Sequence, residues 1–162
     1  MLVAVFAVVL SVVAVRFSLV IVTIRGMSLA PDFEDGDRVL VLRQQLAGNA
    51  DYDDIVVVWP WKDRAVDAPR DAYFGSRPYI KRVVGLPGDV IVTDISELEV
   101  HERDKQRHFY DENGKRSWSI PEGHVFVQGN SLGGNDSRSW GPVNQDAVLG
   151  TVVTKLSRAT RQ

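Results

Sequence analysis

Ser28 stands in the run Arg25-Gly26-Met27-Ser28-Leu29-Ala30-Pro31, and Lys81 in Tyr79-Ile80-Lys81-Arg82-Val83-Val84-Gly85. Together a hydroxyl and an amine can break an amide bond, provided the amine takes the hydroxyl proton as the oxygen attacks. Lysine does so only when neutral. With an ordinary pKa of about 10.4, less than ~0.1% of it is neutral at pH 7, and burial among apolar groups lowers that value by about 3 to 5 units. Tyr79-Ile80 and Val83-Val84 supply such surroundings, and no carboxylate lies within the segment. Arg82 points to the other face of a strand, yet its charge pushes in the same direction. Gly26 lets the turn expose Ser28, and the backbone N–H groups there are candidate donors to an oxyanion. Pro31 keeps that segment out of a strand ladder. A lone serine in a turn is more often a backbone cap, and a lone lysine in a strand more often snorkels. The pair, in this order and with these flanks, favours chemistry.

The elements that must hold these two groups are strands. After Arg16 the apolar runs are short, rich in Val and Ile, and broken by Gly, Pro, Asp and Asn: 17–24, 38–42, 54–59, 79–84, 89–95, 124–128 and 147–154. That pattern predicts a mainly β domain, a barrel or folded sheet, over 17–162. Two polar excursions interrupt it. Lys62 to Pro78 reads as a surface loop, and 96–119 as a hairpin excursion around Asn113-Gly114. Trp59-Pro60-Trp61 reads either as ordinary edge packing or as a contact with a lipid interface.

Residues 1–15 are unbroken small and apolar side chains ending at Arg16. A membrane span takes about 20 residues, so 1–16 is a short transmembrane anchor if Arg16 snorkels and part of 17–24 sits at the interface. A cleavable signal peptide fits less well, because no basic region precedes the run and no small-residue cleavage site follows it. The 162 residues carry a net charge of −2 without a dense basic tract, which gives nucleic acid no footprint. With no cysteine and three scattered histidines, neither a disulfide nor a metal centre is expected, and no cofactor.

Four segments carry a resemblance to the type I signal peptidases, membrane-anchored Ser-Lys endopeptidases. They are Gly26 to Pro31 with Asp35 to Val41 behind it; Asp54 to Val58; Tyr79 to Asp89; and Gly129-Asn130 through Asp136-Ser137-Arg138 to Val143, preceded by Ile120 to His124. The resemblance implies a signal-peptidase-like folded β domain that removes signal peptides from exported pre-proteins after Ala-x-Ala-like ends. Ser28 would be nucleophile and donor of an oxyanion N–H, and Lys81 the general base. Val22, Ile24, Leu29, Phe33, Tyr79 and Ile80 would line the substrate pockets. The stretch 20–24 would pair with the extended substrate as a neighbouring strand. Gly26, Arg82, Asn130, Asp136 and Arg138 would support the site.

This chain departs from the family pattern in places. Leu29 replaces a common Met, and Asp32-Phe33 replaces Thr-Leu, adding a charge and a larger wall. Asn130 stands where a carboxylate partner of Arg82 is usual. Gly134 occupies the place of a serine that usually bonds the lysine, so Lys81 is expected to use Asn135, Ser137 or water instead. The implied partners are signal peptides and the lipid bilayer, with a single pass in a bacterial plasma membrane and the catalytic domain on the outer face. A mitochondrial inner membrane is the alternative. The competing functions are a catalytically impaired anchored binding domain and a self-cleaving SOS-repressor-like Ser-Lys protease. For the latter the Ala47-Gly48 pair is misplaced, being downstream of Ser28.

Overall fold

The computed structural model describes residues 6, 18–59, 78–98, 103, 107–131 and 135–158. Most of the expected anchor, the loop from Lys62 up to its last residue Pro78, the Pro60-Trp61 part of the aromatic triplet and parts of the 96–119 excursion lie outside them. Among the described residues no helix is long and apolar enough to cross a membrane.

Among the described residues nine strands form in chain order: β1 (Leu19–Thr23), β2 (Asp37–Arg43), β3 (Ile55–Val58), β4 (Tyr79–Gly85), β5 (Val90–Asp94), β6 (Lys115–Ser119), β7 (His124–Gln128), β8 (Val143–Asn144) and β9 (Val148–Arg158). Two four-residue helices, α1 (Gln44–Ala47) and α2 (Ser137–Trp140), sit between them. Seven strands make one antiparallel sheet in the order β1-β2-β9-β3-β4-β7-β8, and β5 pairs with β6 in a separate ribbon.

The alternation of apolar residues fixes which face each strand buries. On β2, Asp37, Val39 and Val41 are buried while Arg38 and Arg43 are exposed. Val20 and Val22 of β1 stand opposite Val41 and Val39, so they share the inward face. Because β1 is the sheet edge and β4 lies several strands away, the sheet must curl for the two to meet. An apolar cluster of Ile24, Val39, Val41 and Val57, with Val20, Val22, Phe33 and Ile80 packed on it, fills that curl. A second core of Val56, Val58, Val83, Val125 and Val127 lies on the opposite face of β3 and β4, with Tyr79 against it. Fully burying one such valine is worth about 1.5–3 kcal/mol.

The mainly β expectation holds, with differences in detail. β6 is absent from the expected runs because Lys115-Arg116-Ser117-Trp118-Ser119 carries one large apolar residue, and it pairs through its backbone with β5. β8 is too short to leave a pattern. The excursion therefore contains one strand of a ribbon whose other strand precedes it. Asn113-Gly114 does not join the two strands directly: it closes a tight turn, with Gly114 N–H donating to Asp111 C=O at 3.0 Å, just before β6. Trp59 is half-buried and donates its N–H to Ala147 C=O at 2.8 Å, continuing the pairing of β3 with β9.

Candidate active site

β1 ends at Thr23, and the chain turns back to β2 through residues 24–36. Ile24 N–H donates to Asp37 C=O at 2.8 Å and Gly36 N–H returns to Ile24 C=O at 3.0 Å, which pins both ends of the turn. Gly26 has φ +91°, a conformation that side chains resist, and its N–H donates to Asp35 Oδ1 at 2.8 Å. Asp35 thus ties down the segment that presents Ser28. The Ser28 hydroxyl donates to Ile80 C=O at 3.3 Å, joining the turn after the edge strand to β4. The Ser28 N–H makes no hydrogen bond among the described residues.

Lys81 is 1% exposed, one of the largest fully buried side chains of the described structure. It shares a face of β4 with Tyr79 and Val83 and stands opposite Val56, all part of the second core. Desolvation by that apolar wall lowers its pKa. Asp136 pulls the other way and Arg138 adds a smaller downward push. No described carboxylate forms an ion pair with it, and Tyr79 places its ring 5.9 Å from Nζ, the outer limit of a cation–π contact.

The two candidates meet at Gly129, just past β7. A Cβ built there would lie 3.1 Å from Lys81 Nζ, 3.4 Å from Ser28 Cβ and 2.7 Å from Ser28 C=O. Serine and lysine therefore both crowd one point, and only a glycine leaves them room. Asn130 continues the clamp: its N–H donates to Ser28 C=O at 2.6 Å and its Nδ2 to Ala30 C=O at 3.1 Å.

Behind Gly129 lies the Asp136–Arg138 pair. Asp136 Oδ2 accepts from Gly129 N–H at 2.9 Å and from Arg138 Nη2 at 2.6 Å, while Oδ1 accepts from Arg138 N–H and Nε. Arg138 Nη2 also donates to Ser131 C=O at 2.7 Å. The two residues thus form a buried ion pair, and Asp136 also caps α2.

Two expectations about partners need correction. Arg82 does not turn to Asn130; it pairs with Asp32 at 3.0 Å, because the carboxylate introduced on the nucleophile turn lies across from the outer face of β4. Nor does Asn135 or Ser137 hydrogen-bond Lys81 among the described residues. Ser137 is fully buried and accepts from Val127 N–H at 3.0 Å, since α2 packs on β7.

Of the expected pocket residues, Val22, Ile24, Phe33 and Ile80 come together in the curl of the sheet. Tyr79 belongs to the other core, against Trp140 at 5.2 Å between ring centroids. Leu29 and Ile24 are 1% and 3% exposed, so they back the site rather than offer open wall. Sequence reasoning missed Gly129 as a site residue; its only signal was a glycine at the start of a loop already marked as unusual. Among the described residues no cluster of His, Asp or Glu could hold a metal ion.

Residues 1–156 match the protein family described as signal peptidase, peptidase S26. Signal peptidase I U of Bacillus subtilis is 28% identical over 143 residues, which cover 79% of this chain and 70% of that protein. Signal peptidase I of Bacillus licheniformis is 26% identical over 163 residues, 91% of this chain and 81% of that protein. Signal peptidase IB of Staphylococcus aureus is 27% identical over 153 residues, 80% of this chain and 73% of that protein.

Proposed function

This chain belongs to the signal peptidase family, peptidase S26, and we propose that it removes signal peptides from exported pre-proteins with Ser28 as nucleophile and Lys81 as general base. The observation that carries the assignment is the approach of a fully buried lysine and a turn serine to the same point at Gly129.

In the resting state the Ser28 hydroxyl leans on Ile80 C=O. In the reaction it swings to Lys81 Nζ, whose pKa is lowered by its apolar wall, and gives up its proton as Oγ attacks the scissile carbonyl. The Ser28 N–H, which makes no hydrogen bond among the described residues, donates to the developing oxyanion. Collapse breaks the C–N bond, and the ammonium of Lys81 returns the proton to the departing amine of the mature protein. Water then attacks the Ser28 ester, Lys81 takes the water's proton, and Ser28 regains its hydrogen as the signal peptide leaves with a new carboxylate.

The substrate enters extended, adding a strand to the open edge of β1, whose inward residues would read small side chains by excluding larger ones. Residues 1–16 would anchor the chain in a bacterial plasma membrane, with 17–162 as the peptidase domain on its outer face, where exported chains emerge. Cleavage of a pre-protein ending its signal in Ala-x-Ala tests the assignment. The detergent-solubilised protein should release a mature chain beginning after the last small residue, and Ser28→Ala and Lys81→Ala should each abolish it. Retention of activity by either folded variant rules out the dyad, and failure of the folded wild type leaves the impaired binding domain.

A further inference from the structure

Val20 and Val22 of β1, the edge strand of the sheet among the described residues, border a cavity of about 680 Å³ whose lining lies toward the β2 end at Arg43 and Gln44, away from Ser28. Val20, Val22, Val41, Val57 and Leu149 line it with apolar surface. Arg43, Gln44 and Asp146 stand among its polar lining. Neither Ser28 nor Lys81 touches it, and the chemistry described above makes no use of it.

We infer that this cavity is a distal subsite for a large apolar side chain at the fifth residue before the cleaved bond. The inference rests on the proposed cleavage at Ser28 and follows from strand geometry. A strand added along β1 alternates its side chains with period two, so every second substrate residue faces inward with Ile24, Val22 and Val20. The inward residue whose carbonyl meets Ser28 lies beside Ile24. The third residue back then lies beside Val22, and the fifth beside Val20, about 13 Å further along at the usual rise of ~3.3 Å per residue. The cavity borders Val20 and its β2 neighbours Val41 and Arg43, and reaches Val22 as well. Its volume far exceeds the room an alanine needs, and its floor offers a leucine or phenylalanine apolar contacts that alanine cannot reach. The polar groups around it would disfavour nothing in the backbone, while the valine floor would reject a carboxylate, which would lose its hydration there. Substrate choice would then depend on two features: small residues next to the cut and a bulky apolar residue at a fixed distance upstream.

The test uses the full-length protein in detergent and pre-protein substrates that share an Ala-x-Ala end and differ only at the fifth residue: Ala, Leu, Phe or Asp. Leu and Phe should exceed Ala by about tenfold or more in kcat/KM, mainly through KM, with Asp below Ala. Two independent changes that fill the cavity, Leu149→Trp and Val20→Phe, should bring the Leu-to-Ala ratio close to one, with melting curves checking that each variant is folded. Fluorescence anisotropy with labelled peptides on the Ser28→Ala variant reads the same ratio without cleavage. Equal binding of Leu and Ala peptides, or a ratio that persists in both folded fillings, overturns the subsite. Absence of cleavage with the binding preference intact overturns the dyad and leaves the subsite standing.

Discussion

Two ion pairs flank the Ser28–Lys81 meeting point, and they differ in almost every respect except chemistry. Asp136–Arg138 is buried, with side chains 0% and 5% exposed, and the Asp136 carboxylate accepts hydrogen bonds on both oxygens. Asp32–Arg82 is open to water, at 51% and 30%. The buried pair sits beside a lysine that must be neutral, and its two charges act on Lys81 in opposite senses, so burial remains the largest cause of the lowered pKa. A single uncompensated charge there would control the base. The exposed pair instead ties the nucleophile turn to β4 across a solvent-filled surface, where an ion pair contributes about 0–1 kcal/mol and is screened by salt. The first pair builds the site; the second trims it.

Breaking the buried pair should have the largest effect. Asp136→Ala leaves the Arg138 guanidinium buried without its carboxylate and Gly129 N–H without an acceptor. It should cost about 3–5 kcal/mol in urea unfolding, little changed by added salt. Arg138→Met removes the other half and leaves Asp136 facing Lys81. Lysine is then favoured as ammonium, and the acidic limb of the pH–rate profile should move to higher pH, readable in kcat/KM between pH 6 and 10 as an order-of-magnitude window around the ordinary lysine value.

Next comes the point both pairs frame. Gly129→Ala puts a methyl group into Ser28 C=O and Lys81 Nζ, and displacing the dyad by about 1 Å should lower kcat about 100-fold. Stopped assays with the same pre-protein would measure it, and circular dichroism should report an intact fold.

Lys81→Met sharpens the contrast by removing the ionisable amine beside the buried pair. Burial lowers the folded pKa of Lys81, so between that value and the ordinary one the unfolded chain binds more protons. Wild-type stability should therefore rise with pH across that window and level off above the ordinary lysine value. The inactive Lys81→Met protein should be more stable than wild type at pH 7 and lack that rise, as urea titrations at several pH values would show.

The smallest effect belongs to the exposed pair. Asp32→Asn should change stability by no more than about 1 kcal/mol, and the difference should vanish in high salt. A loss comparable to that of Asp136→Ala would collapse the distinction between the two pairs.

Much of this was legible in one dimension. The Val- and Ile-rich runs located β1 to β5, β7 and β9, because alternation and branched side chains mark strands buried on at least one face. They failed at β6, where backbone pairing with β5 and a single inward Trp118 replace an apolar pattern. The Ser28 and Lys81 neighbourhoods also stood out, since a lysine among Tyr, Ile and Val already announces desolvation. Hydrogen-bond partners were less accessible. The sequence pointed Arg82 toward residue 130, whereas the carboxylate that meets it comes from Asp32, and nothing along the chain tells which turn will lie over β4.

What the sequence by itself determined is composition in the local sense: strand positions, the turn glycine before the serine, the apolar flanks of the lysine, and the absence of thiols for disulfide or thiolate-metal chemistry. Those follow from side-chain period and backbone freedom, which act over a few residues. The tertiary structure alone decided that Ser28 and Lys81 both lie against Gly129, that the charges of Asp136 and Arg138 act on the base in opposite senses, and that Val20 and Val22 border a cavity. Each of these depends on how the curled sheet brings distant strands together, and side-chain chemistry along a line carries no measure of that distance.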